Sequence, residues 1–167
     1  MNTTIYTNIV SFIKKRTFEL CGLILVLLGL SLFISFFTYS PNDPSFVYGD
    51  ANKVIHNFFG IYGSIISDFL LQSFGIISFL FLITIISWGV ILITKKHLEN
   101  ITLKILFVVL YLISGSIFIY INFNNSFWLI DHGNSGFVGQ SFYNLVYKIF
   151  PVVDNIYINF LLFVITL

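Results

Sequence analysis

Four apolar runs, three long and one short, set the layout of the chain. Leu20 to Phe37 carries no charge over 18 residues and follows a polar-to-mixed stretch, residues 1–19, that contains Lys14, Lys15 and Arg16. At about 1.5 Å per residue such a helix rises about 27 Å, close to the thickness of a bilayer's hydrocarbon core. The run is longer than the apolar part of a signal peptide, and no small-residue cleavage site follows it, so it predicts a retained span. Phe69 to Ile93 holds only Gln72 as a strongly polar residue and closes on Lys95, Lys96 and His97; Ile105 to Phe123 is the third run. The fourth, Ile156 to Leu167, reaches about 18 Å as a helix, short of the core. It reads as the opening of a fourth span in a longer protein, because a chain end in hydrocarbon would leave carbonyls and a carboxylate unpaired. The pattern predicts an all-α membrane protein, a polytopic helical bundle. After a cytoplasmic N-terminal segment at 1–19 it places spans at about 20–38, 69–93 and 104–123, and the start of a fourth at about 155–167.

The basic residues assign a direction. With the N-terminus in the cytoplasm, Lys14, Lys15, Arg16, Lys95, Lys96 and Lys104 lie inside, while Lys53 and Lys148 lie outside, which is the positive-inside bias. Asp43, Asp50, Asp68, Asp131 and Asp154 all fall outside. Two outer stretches carry apolar residues at helical spacing: Val54, Phe58, Ile61 and Ile65, then Phe142, Leu145, Val146 and Ile149. They predict short amphipathic helices that cover the ends of the spans or lie on the outer leaflet. Tyr39, Tyr48, Tyr120 and Trp128, near span ends, read as interfacial anchors. No internal repeat is evident.

Composition agrees with the pattern: 57% of the 167 residues are hydrophobic and 9% charged, against about 25% charged in a soluble domain. A net charge of +1 offers no basic surface to a nucleic-acid backbone. One cysteine, Cys21, excludes an internal disulfide and reads as a small apolar packing residue. No Gly-Lys pair occurs, so a phosphate-binding loop is excluded, and His56, His97 and His132 lie 35 or more residues apart, which excludes a zinc-protease pair. The spans carry no ionisable group for an intramembrane hydrolase. His132 and Ser135, in Asp-His-Gly-Asn-Ser-Gly, are ordinary turn chemistry. No catalytic residue, cofactor site or metal ligand is expected. Gly22, Gly29, Gly75, Ser78, Ser114, Gly115 and Ser116 would let helices approach closely in lipid. A fragment of a small-molecule transporter or channel is the alternative reading, disfavoured by uniformly apolar spans.

The first outer segment is the most informative. Pro41 and Pro44 lack an N–H and push the preceding residues out of helical geometry, and Asp43 and Ser45 offer side-chain caps, so the segment stops the first span. Gly60 and Gly63 permit tight backbone, and Asp68 fits an N-cap for the second span. In order, the chain reads Tyr39-Ser40-Pro41-Asn42-Asp43-Pro44-Ser45, then His56-Asn57-Phe58-Phe59-Gly60-Ile61-Tyr62-Gly63-Ser64, then Ser67-Asp68 and Phe74-Gly75. This ordered set resembles the N-terminal four-helix transmembrane domain of the FtsK/SpoIIIE DNA translocases. That family has a Pro-x-Asp-Pro-Ser turn, an Asn-x-x-Gly-x-x-Gly-Ala stretch, an Asp and a Phe-Gly in the same order. Ser64 stands where Ala is usual. The Lys95-Lys96 turn and the glycine patch Gly133, Gly136 and Gly139 also fit, with Asn134-Ser135 interrupting a frequent Gly-Gly pair.

The resemblance implies a membrane anchor with septum-targeting and assembly roles for a translocase of cell division and chromosome segregation. It implies a bacterial inner-membrane location at the division septum, and contacts with the lipid bilayer and with other division membrane proteins. ATP and Mg, DNA binding and hexamer formation belong, by the same resemblance, to a motor beyond this chain, which is itself expected not to be an enzyme.

Overall fold

The computed structural model describes residues 2–45, 54–125, 129 and 132–167. It contains α1 (Asn2–Phe37), α2 (Gly60–Phe74), α3 (Ser78–Lys95), α4 (Ile101–Phe123), α5 (Gly136–Ile149) and α6 (Ile156–Thr166), with 3-10 turns at Gly75–Ile77 and Pro151–Asp154. No strand occurs among the described residues. Three stretches, Tyr6–Phe37, Gly60–Lys95 and Ile101–Phe123, are long and apolar enough to cross a bilayer, and Ile156–Thr166 is apolar but shorter. Leu23, Ile24, Leu27 and Leu28 of α1, and Leu106, Val109 and Leu110 of α4, point outward, as helices facing lipid require. The protein is an all-α, multi-pass membrane bundle.

α1 is longer than its apolar run. With no Pro or Gly before Gly22 to interrupt it, the stretch expected as a separate polar segment continues the same rod. The helix is 36 residues long, about 54 Å against a hydrocarbon core of about 30 Å. Its C-terminal half lies antiparallel to α3. A Cβ added at Gly22 would sit 2.6 Å from the Gly89 carbonyl oxygen, and one added at Gly89 would sit 2.8 Å from the Gly22 carbonyl oxygen. The two backbones therefore touch, which is how helices gain attraction in a solvent as apolar as their own side chains. Toward the other end Phe33, Phe36 and Phe37 surround the Phe79 ring, with centroids 5.2–5.9 Å away.

The second run is not one straight helix. Gly75 takes φ +64°, and the Ser78 hydroxyl donates to the Leu70 carbonyl at 2.8 Å, eight residues back. Along a straight helix those residues would stand about 12 Å apart, so α2 and α3 meet at a sharp turn. Residues 69–74, expected at the start of the second span, belong to α2. Val54 and Phe58, expected on a first amphipathic helix, precede it and are exposed. The second amphipathic stretch forms α5, where Gly139 backs onto the Ser116 carbonyl of α4 and Tyr143 packs on Tyr120 at 5.0 Å. α6 then runs antiparallel to α4, with Phe160 and Phe163 on Phe118, and Thr166 hydrogen-bonded to Ser114 at 2.7 Å.

One order of elements thus occurs twice: long apolar helix, loop, a helix opened by a glycine at positive φ, then an apolar helix running back. The glycines are Gly60 (φ +62°) and Gly136 (φ +68°). Each stands four residues after a histidine and three before a second glycine: His56, Gly60, Gly63 and His132, Gly136, Gly139. The expectation of no internal repeat is corrected here; the match rests on three residues per half, too few to stand out against unrelated flanks.

Candidate functional site

Chemistry-bearing side chains gather at the end of the bundle where α1 stops. A turn closed by the Asp43 N–H on the Ser40 carbonyl carries the chain away from α1. Asp43 does not cap that turn with its side chain, as its position suggested. Its fully buried carboxylate accepts instead from the backbone N–H of His56 (3.0 Å to each oxygen) and of Asn57 (2.8 Å), and pairs with His56 Nδ1 at 2.8 Å. A buried carboxylate holds only where donors replace its lost water, and these donors all come from the segment just before α2.

Asn57 carries the linkage inward. Its Nδ2 donates to the Ser35 carbonyl at 2.8 Å and to Ser67 Oγ at 3.4 Å, while its Oδ1 accepts from the Phe59 N–H at 3.1 Å. Ser35 Oγ donates to the Gly63 carbonyl at 2.8 Å, and Ser64 Oγ to the Pro44 carbonyl at 2.7 Å. A Cβ on Gly63 would fall 2.2 Å from Asn57 Oδ1, so the side-chain amide occupies the room a larger residue would need. Deeper, Tyr39 Oη donates to Asp68 at 2.9 Å and accepts from Gln72 Nε2 at 3.1 Å. Gln72 Oε1 is buried with no partner among the described residues.

Asp68 therefore lies inside α2, eight residues past its start, rather than capping a span; α2 begins earlier than the apolar run suggested. Tyr39 is buried, not an interfacial anchor, and Tyr120 is half-buried against α5. Pro41 is exposed, Pro44 buried and Ser45 half-buried beside it. Tyr48, Asp50, Lys53, Trp128 and Asp131 lie outside the described residues.

A second junction joins the halves. The Ile76 N–H donates to the Asn134 carbonyl at 2.9 Å. A Cβ on Gly75 would lie 1.9 Å from that same oxygen, and one on Gly136 would lie 2.5 Å from the Ser73 carbonyl. Asn124 Oδ1 accepts from the Ser135 hydroxyl at 3.0 Å and N–H at 3.4 Å, and a Cβ on Gly133 would meet it at 2.4 Å. Gly75 and Gly136 thus form one close junction between the α2–α3 turn and the start of α5, while Gly133 backs onto Asn124 and Gly139 onto α4. Asn124 serves the second half much as Asp43 serves the first.

At the opposite end Glu19 accepts from Arg16 at 2.5 Å and pairs with Lys96 at 2.6 Å, bringing the N-terminal basic cluster and the α3–α4 turn together. Lys14 lies over the Phe18 ring at 5.9 Å; Lys14, Lys15 and Lys95 are exposed. Cys21 is free and faces outward. Among the described residues no three His, Cys, Asp or Glu side chains gather as metal ligands.

The sequence pattern did not single out Ser35, Gly89 or Asn124, and named Ser67 only as part of a motif. Gly89, a glycine in a span, was visible in kind; the serines and Asn124 matter only through partners 10 to 28 residues away.

Residues 14–167 match the family described as the 4TM region of DNA translocase FtsK/SpoIIIE. The chain is similar to the DNA translocase FtsK of Azospirillum brasilense, 34% identical over 91 residues that make up 54% of this chain and 14% of that protein. It is similar to DNA translocase FtsK of Rhizobium meliloti, 30% identical over 91 residues, 54% of this chain and 10% of that one. The same-named protein of Rickettsia prowazekii is 37% identical over 68 residues, 41% of this chain and 9% of its own. The alignments thus span a small fraction, 9–14%, of these relatives' lengths. No solved structure matches the chain.

Proposed function

Since this chain belongs to the family of the 4TM region of DNA translocase FtsK/SpoIIIE, we propose that it anchors such a translocase in the membrane and helps target and assemble it at the division septum. The observation that carries this reading is the family match over residues 14–167. In this reading DNA, ATP and Mg are engaged by a motor outside these residues, and hexamer formation comes through that motor. The bundle contributes fixed placement, with the cross-linked polar end as a rigid surface for other division membrane proteins. The location is the bacterial inner membrane with the N-terminus cytoplasmic, supported by the positive-inside bias and by Arg16 and Lys96 meeting on one Glu19.

Two measurements test it. A fluorescent protein joined ahead of Met1 is expected to form a mid-cell band in dividing cells; an even membrane stain would remove septum targeting. In intact cells a membrane-impermeant thiol reagent should label Asn42→Cys and spare His97→Cys, and labelling of His97→Cys alone would invert the orientation.

A further inference from the structure

α3 and α4, joined by the turn at 96–100, enclose an apolar groove of about 310 Å³ lined by Phe74, Phe81, Trp88, Ile105, Val108 and Leu112 among others. The Thr84 hydroxyl on its wall is already satisfied, bonding the Leu80 carbonyl and the Tyr111 hydroxyl, each at 2.9 Å. The groove lies within spans that face hydrocarbon.

Its mouth at the basic end is different. Lys95 stands seven residues, two helical turns, beyond Trp88, and Lys104 stands four before Val108, so each lies on the same face of its helix as a groove residue. Both therefore stand at the basic end of the groove, one on either side of the 96–100 turn. Glu99, in the turn between them, is held below the ordinary carboxylate range first by its bond to His97 and further by the charges of Lys95 and Lys104. Lys96 is taken by Glu19, whereas Lys95 and Lys104 make no salt bridge among the described residues. An apolar slot under a pair of free ammonium groups is complementary to one amphiphile.

We propose that this groove is a binding site for an anionic phospholipid, with one acyl chain between α3 and α4 and the phosphate between Lys95 and Lys104. Such basic pockets at the end of interhelical grooves are how membrane proteins select charged headgroups over zwitterionic ones.

The test is native mass spectrometry of the purified, delipidated 167-residue chain, titrated with phosphatidylglycerol and with phosphatidylcholine of the same acyl chains. Phosphatidylglycerol is expected to bind the more tightly. At about 1 kcal/mol per basic residue, Lys95→Gln with Lys104→Gln weakens it by about 30-fold and leaves phosphatidylcholine unchanged. Lys14→Gln with Lys15→Gln removes the same charge elsewhere and should leave both affinities within about threefold. Val108→Trp, which fills the slot, weakens both lipids. Equal affinity for the two lipids, or equal losses from the two lysine pairs, would overturn the site: the first leaves a groove without headgroup selection, the second only bulk charge. Circular dichroism on every variant separates these outcomes from unfolding.

Discussion

Replacing Asp43 by alanine is the sharpest probe of the polar end. The carboxylate is buried and takes the N–H groups of His56 and Asn57 together with His56 Nδ1. Alanine leaves the Asn57 N–H buried without an acceptor, a loss of about 1–3 kcal/mol, while the part-exposed His56 donors turn to water at a cost nearer 1 kcal/mol. The sum, about 2–4 kcal/mol, is large against a typical stability of about 5–15 kcal/mol. Asp43→Asn keeps one acceptor oxygen and sets an NH2 against a donor, so about 1–2 kcal/mol is expected. Two readouts check this: the midpoint of unfolding by SDS titration, followed by helix dichroism, and amide exchange at residues 56 and 57. Exchange should accelerate by about 30-fold or more in the alanine variant, since each 1.4 kcal/mol is a factor of ten. An alanine variant within about 0.5 kcal/mol of the parent, its two amides still protected, would refute the reasoning: apolar contacts alone would then hold the segment before α2.

Other perturbations have equally definite outcomes. Gly75→Ala places a Cβ on the Asn134 carbonyl at a left-handed φ, so the loop before α5 should detach; limited proteolysis between residues 124 and 136 should speed up at least tenfold. Gly89→Ala pushes α1 off α3 at Gly22 and Val26, and about 1–3 kcal/mol of stability should be lost in the same SDS titration, as overpacking usually costs. Tyr143, whose hydroxyl donates to Asp154 at 2.7 Å, is pushed up to about 12, first by that bond. Because the folded state holds this proton more tightly than the unfolded one, the bond's contribution is complete below pH 10 and fades as pH rises toward 12. Ultraviolet titration of Asp154→Asn should return one tyrosine of the nine toward 10.

How much of this was legible in the chain follows from the range of each interaction. The spans were visible because apolar runs and their basic ends are local properties, and α5 was visible because Phe142, Leu145, Val146 and Ile149 repeat at helical spacing. The division of 60–95 into two rods was not: Gly75 looks like any small residue in a span, and its φ is imposed by Asn134, some sixty positions on. Asp43 was recognised as a turn residue with a capping side chain, but its donors sit thirteen and fourteen residues later. Asp68 was misplaced for the converse reason. An acid just ahead of an apolar run has the appearance of an N-cap, but α2 has already begun at Gly60, and the Asp68 carboxylate is turned to the Tyr39 hydroxyl instead. Uniformly apolar spans weighed against a transporter, and the family match over residues 14–167 now carries the distinction.

That duplicated order has a bearing on membrane insertion. Each half sets out from the face that holds Arg16 and Lys96, turns at the opposite face and heads back, α6 included. A unit that departs from and returns toward one face has even parity, so copying it leaves the sidedness of all later segments unchanged. Such a domain can be lengthened by whole units without inverting what it is joined to, whereas gain or loss of a single helix would flip it.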